Sequence, residues 1–168
     1  MSIELKKNLW HALFVGILSG VVIGVYAGLG LETPLYWAAF IVLPVVFMSG
    51  GRWPDVLPHI GNAWFGVFIG WACFQLVSMT TPVVGLPLAF GLATAVCTVV
   101  LQGMTGGFLA SSLGRCPMAF VGMITCFAAG GTNLLTAVIS LACGIVAATA
   151  MVQSGKIAAR LSGFREKG

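Results

Sequence analysis

Charge is nearly missing from this chain. Of 168 residues, eight are Lys or Arg and four are Asp or Glu, or 7% in all, where soluble domains carry roughly 25%. So few charges cannot cover a water-facing surface, which excludes an ordinary soluble domain. The acids are fewest: Glu4, Glu32, Asp55 and Glu166 all lie at the edges of apolar stretches. No carboxylate pair is therefore available for general acid–base work. The two histidines, His11 and His59, lie in different segments, and no H-E-x-x-H, G-x-S-x-G or P-loop pattern occurs. Asp55 and His59 are four apart and share a helix face, but with Pro54 and Pro58 beside them they read as a solvated helix start. The chain is expected not to be an enzyme.

Cysteine chemistry is missing too. Cys73, Cys97, Cys116, Cys126 and Cys143 form no C-x-x-C spacing, and an odd count of thiols inside apolar runs argues against both a disulfide framework and a zinc site. No metal and no cofactor are expected. No ionisable residue falls at the centre of an apolar run, which argues against a pump working through a buried carboxylate.

What the chain has is apolar length: 59% hydrophobic residues and a mean hydropathy of +1.05. Its basic residues alternate. They occur at Lys6 and Lys7, at Arg52, at Arg115, and in the tail with Lys156, Arg160, Arg165 and Lys167. The gaps between, near residues 30–34, 79–82 and 130–133, hold no basic residue. Lys/Arg-rich connections stay cytoplasmic and the others are translocated. The pattern predicts an all-α polytopic membrane helix bundle, with six transmembrane helices and both termini cytoplasmic. A span needs about 20 apolar residues, so one integral-membrane domain fills residues 1–168. Arg52, Arg115 and Lys156 orient its hairpins. The basic start and first apolar run have no small-residue cleavage site before the next span and predict a retained helix. The net charge of +4 reads as topology and attraction to anionic lipid, not nucleic-acid binding.

The spans are placed at about 9–30, 34–50, 59–78, 83–103, 117–131 and 134–153. Thr33-Pro34 and Thr81-Pro82 put proline where a helix begins. Gly130-Gly131 followed by Thr132-Asn133 reads as a glycine C-cap and then a polar N-cap. Trp10, Trp53 and Trp64 fall near the inner interface and Tyr26, Tyr36 and Trp37 near the outer one, as an aromatic belt. Residues 104–116 are too apolar for an ordinary loop and too short to span. Extension of the fourth span, an interfacial helix and a re-entrant segment all stay open. The fifth span is short, about 15 residues or ~22 Å. That fits either a binding element or a thinned edge of the bundle.

Small residues recur every fourth position. Gly16, Gly20, Gly24 and Gly28 form a ladder in the first span, and Gly66 and Gly70 follow in the third. Ala89, Ala93 and Cys97 lie in the fourth span, Gly122, Cys126 and Gly130 in the fifth, and Thr136, Ser140, Gly144 and Ala148 in the sixth. Such rows let helix backbones approach closely in lipid. Whether the first ladder receives a helix of the same chain or of another copy stays open.

A few polar side chains fall at membrane depth. Trp71 and Gln75 are one turn apart, aligned with Trp64 and Phe68; Gln102 is near the inner end of the fourth span; Thr132 and Asn133 close the fifth. An amide in hydrocarbon needs a partner, so Gln75 serves either as interhelical glue or as a solute contact. Gly114-Arg115-Cys116-Pro117 echoes Gly51-Arg52-Trp53-Pro54, a pattern that inner-face turns share.

Several of these motifs carry a resemblance. Ser19-Gly20 with the Gly-rich first span, Ser49-Gly50-Gly51, and above all Pro117-x-x-Phe120-x-Gly122 followed by Phe127-Ala128-x-Gly130 resemble the YcdZ-like bacterial inner-membrane proteins. That family is classed as domain of unknown function 1097. The resemblance covers about residues 15–160, and residues 104–116 depart from the pattern. It implies an all-helical multi-span protein of the bacterial cytoplasmic membrane and brings no catalytic residues.

Two functional readings follow. The first is a channel, facilitator or transporter for a small neutral or weakly ionic solute, expected as a homo-oligomer, with the Pro117–Gly130 segment, Gln75 and Asn133 as the conduit or binding element. The second is a non-transporting scaffold or accessory subunit of a partner complex.

Overall fold

The computed structural model describes residues 2–28, 30, 35–104 and 116–163, with the Cys116 side chain excepted. Among these residues there are seven α-helices, one 3-10 turn and no strand. The helices are α1 (Ile3–Gly28), α2 (Tyr36–Ile41), α3 (Leu43–Met48), α4 (Val56–Val84), α5 (Leu86–Gly103), α6 (Cys116–Ala128) and α7 (Leu134–Leu161); Trp53–Asp55 is the 3-10 turn. Four helical stretches, Ile3–Gly28, Trp53–Val84, Leu86–Gly103 and Leu134–Leu161, are long and apolar enough to cross a membrane. Tyr36–Met48 and Pro117–Ala128 are shorter apolar helices. The chain is an all-α membrane helix bundle, as its composition predicts.

Three local expectations change. The second span is broken rather than continuous: Val42 separates α2 from α3, and Pro44 stands in the first turn of α3. Pro44 has no N–H to offer the preceding turn, so the ladder restarts there. Thr81-Pro82 does not begin a helix. Pro82 lies inside α4, and the chain turns instead at Gly85, whose φ of +80° only glycine adopts easily. Pro87 then takes the helix-start position. Asn133 precedes α7 in a left-handed conformation and gives no side-chain cap. The glycine cap of α6 does form, with Gly131 N–H reaching Cys126 O at 3.0 Å and Gly130 N–H reaching Phe127 O at 2.9 Å.

Helices α4, α6 and α7 hold the core, where Val67, Met118, Leu141 and Ile145 are buried together. Glycines set their approach. A Cβ on Gly66 would strike the Ala119 carbonyl, one on Gly122 the Ala63 carbonyl, and one on Gly144 the Ala39 carbonyl. Gly70 lies against Cys126. Dispersion contacts across such crossings replace the hydrophobic drive that lipid removes. Helix α5 lies on α4, and α1 lies on α7. The ladder Gly16, Gly20, Gly24 and Gly28 makes no crossing among the described residues, since a Cβ at each would meet nothing within 4 Å. The opposite side of α1, with His11 and Tyr26, meets α7. Tyr26 is accordingly buried, at 1% exposure, rather than displayed in an outer aromatic belt. Its ring stands edge-on to Tyr36 with centroids 5.3 Å apart.

Candidate functional site

The polar groups that the fold gathers lie at the corner between α3 and α4. Gly50 and Gly51 turn the chain with φ of +80° and +51°. A Cβ on Gly51 would come within 2.6 Å of Val152, so only glycine lets the corner press onto α7. The Gln153 amide donates to the Gly51 carbonyl at 2.5 Å and fixes the corner there. The 3-10 turn then places Asp55 at 8% exposure, with Arg52 Nε 3.4 Å from its Oδ2. One helical turn on, His59 is 2% exposed and Asn62 is fully buried. Asn62 Nδ2 donates to Pro58 O at 2.7 Å.

Ser49 closes this group from α3. Its hydroxyl is 2.9 Å from Val46 O and 3.2 Å from His59 Nε2. A hydroxyl has one hydrogen. When it goes to the Val46 carbonyl, which can only accept, His59 must be the donor to Ser49 through Nε2. The imidazole is thereby oriented by its neighbour. A cavity of about 260 Å³, lined by Val45, Met48, Ser49, His59 and Pro117, reaches the pair. The arrangement sets the bonded Ser49–His59 pair at the edge of a largely apolar cavity.

This corrects the reading of Asp55 and His59 as a solvated helix start. Both are buried: Asp55 lies beside Arg52, and His59 meets the Ser49 hydroxyl and shares its cavity with Pro117 of α6. The signal in sequence was their spacing of four beside two prolines, and only the tertiary fold shows what covers them.

The residues singled out from sequence do not assemble into one conduit. Pro117 lines the cavity just described. Phe120 and Phe127 pack against the α4–α5 core, Phe127 edge-on to Phe74 at 5.6 Å. Gly122 belongs to the α4–α6 crossing, and Gly130 to the cap of α6. Trp71 and Gln75 lie on an exposed face of α4, with Trp71 tilted against Phe68 at 6.0 Å. Trp64, on the same stripe, donates its indole N–H to Val138 O at 3.0 Å. Gln102 is exposed near the end of α5. Thr132 and Asn133 are exposed in the turn before α7, where Thr132 Oγ1 donates to Ala129 O at 2.8 Å. That turn is held at the level of Phe74, because Gly131 packs directly on its ring. Gln75, Thr132 and Asn133 therefore share one level of the bundle. Ser140 is buried on α7, bonded to Thr136 O at 2.6 Å. Lys156 is exposed on α7, and Arg115 and residues 105–115 lie outside the described residues.

The profile of the family described as protein of unknown function (DUF1097) matches residues 12–156. The chain belongs to this family. No curated protein and no solved structure matches it. The match takes in the motifs from Ser19-Gly20 to Gly130 that carry the resemblance, and in this DUF1097 chain they serve different parts of the fold. Ser49 and Pro117 line the His59 cavity and Gly51 packs on Val152, whereas Gly122 and Gly130 shape the helix crossing and its cap.

Proposed function

We propose that this protein is a facilitator of small neutral or weakly ionic solutes in the bacterial cytoplasmic membrane, acting as a homo-oligomer with both termini cytoplasmic. The observation that carries the reading is the exposed amide of Gln75. Helix α4 has 29 residues, so Gln75 lies about 7 Å from its midpoint at 1.5 Å per residue, within the hydrocarbon depth of about 15 Å on either side. An amide facing acyl chains there costs several kcal/mol. Water, solute or a second copy of the chain relieves that cost. The backbone crossings at Gly66, Gly122 and Gly144 close the centre of the bundle, so passage is assigned to the outward face of α4 between copies. Gln75 is its polar contact at membrane depth.

A second reading, a non-transporting scaffold, is favoured by the consumption of buried hydroxyls in helix contacts: Thr125 bonds Val121 O and Ser140 bonds Thr136 O. Reconstitution into liposomes with a swelling and uptake panel separates the two. The facilitator passes at least one small solute, and Gln75→Leu abolishes flux while assembly survives. Properly inserted protein that passes no solute establishes the scaffold instead.

A further inference from the structure

Helices α4 and α5 form a hairpin that turns at Gly85, and their buried rows keep register with that turn. Ile69, Cys73 and Val77 lie sixteen, twelve and eight residues before Gly85; Leu101, Cys97 and Ala93 lie sixteen, twelve and eight after it. All six are buried in one cluster. Cys73 therefore stands opposite Cys97, and the two thiols interact side chain to side chain. Thr94, on the same arm as Cys97, brings its Oγ1 to 3.8 Å from Cys73 Sγ. Both cysteines are free thiols. Cys73 lies three residues past Gly70, the middle of the 29-residue α4, or about 4–5 Å at 1.5 Å per residue. The pair is thus held deep in hydrocarbon.

A buried thiol packs as a small hydrophobe, and alanine at Ala89 and Ala93 already fills that role in the same row. Two thiols set face to face add what alanine lacks, a pair of soft sulfur donors. Among the described residues no three or more His, Cys, Asp or Glu gather as a metal-binding group. A tetrahedral ion that needs four protein donors therefore has no site among them. A linear ion needs only two. The surroundings then decide its charge. Ile69, Val77, Leu101 and Met123 close the pair in with apolar side chains, and such a medium penalises any complex with net charge. Two thiolates balance a divalent ion, whereas a monovalent one would leave an excess negative charge.

We propose that Cys73 and Cys97 are a two-thiol site for a divalent soft cation of linear coordination, with Hg(II) as its type. The neutral dichloride supplies the ion, since it dissolves in the apolar interior and needs no aqueous path. Two Hg–S bonds form while two S–H and two Hg–Cl bonds break, and the protons leave with the chlorides as two equivalents of HCl. No C-x-x-C spacing announces the pair, because its members come from opposite arms of the hairpin. The site does not depend on whether a solute passes along the outward face of α4.

Equilibrium dialysis of the reduced full chain in neutral detergent, with mercuric chloride and an excess of glutathione, tests the pair. The wild type retains a single Hg(II) per chain, because two thiols at high effective concentration outcompete a monothiol. Cys73→Ala and Cys97→Ala each lower retention roughly hundredfold or more and keep the wild-type elution volume. Cys126→Ala and Cys143→Ala leave retention unchanged. X-ray absorption of the wild-type complex, which needs no substitution, shows two sulfur neighbours and no chloride, nitrogen or oxygen. Zn(II) and Cu(I) added in place of Hg(II) are lost to the glutathione. Retention that survives the loss of either thiol, a coordination sphere other than two sulfurs, or equal retention of Zn(II) or Cu(I) would each overturn the site.

Discussion

Tyr26 on α1 donates its hydroxyl hydrogen to Ser140 on α7, and the neighbouring bonds fix that direction. Ser140 has already given its one hydrogen to Thr136 O at 2.6 Å, and Leu35 N–H donates to the Tyr26 oxygen at 3.0 Å. The chain of donors thus runs from the backbone before α2, through α1, into α7. In a dry interior each link matters, because an amide left without a partner costs more than the bond itself contributes.

Tyr26→Phe removes the centre of that chain and strands the Leu35 N–H. The expected loss is about 1–3 kcal/mol. Ser140→Ala costs less, since the Tyr26 oxygen still accepts from Leu35. Unfolding in detergent monitored by circular dichroism ranks the two variants, and an equal effect would contradict the donor order.

The glycines separate into those that the chain's own packing needs and those that it leaves open. Gly66→Ala drives a methyl into the Ala119 carbonyl and is expected to cost at least about 1–3 kcal/mol. A Cβ on Gly20 meets nothing within 4 Å, and for Gly20→Leu the thermal midpoint of the single chain is expected to stay at the wild-type value. Cross-linking of the same samples reports assembly separately, and a loss there for Gly20→Leu places the ladder against another copy.

Pro82 and Gly85 exchange the roles their residue types suggest. Pro82→Ala restores a helical N–H within α4 and is neutral or stabilising. Gly85→Ala forces a side chain into φ +80° and destabilises by about 1 kcal/mol or more. A larger effect from Pro82→Ala would place the turn at Thr81-Pro82 after all.

His59 is buried beside the glycine corner, whereas His11 is only half-buried. Acylation of the folded protein with diethyl pyrocarbonate, read by peptide mass spectrometry, modifies His11 well before His59. Gln153→Leu removes the bond that holds Gly51 and speeds modification of His59, because local opening then costs less. Identical His59 rates in the two proteins would show that Gln153 does not hold the corner.

Much of the fold is legible in residue order because hydrocarbon imposes a simple rule: backbone polar groups must be satisfied within the segment, so long apolar runs become helices. Helix α7 and the glycine cap of α6 follow directly from sequence. The break at Val42 and the passage of α4 through Pro82 do not, since a proline inside an apolar run is compatible with a start, a kink or a continuous helix. The candidate site was less legible still. His59 carries no local sign of burial, because its surroundings include Ser49 and Pro117, 58 positions beyond it.

The sequence alone determined that this is an all-helical membrane chain, with its cations gathered at the span ends and small residues at every fourth position. It did so because charge and hydropathy act locally, residue by residue, against the bilayer. Only the tertiary structure decided which small residues meet a backbone and which face outward. It alone set Cys73 opposite Cys97. Those relations depend on how distant helices lie together, and a spacing of four is the same whether the face it makes is covered or left open.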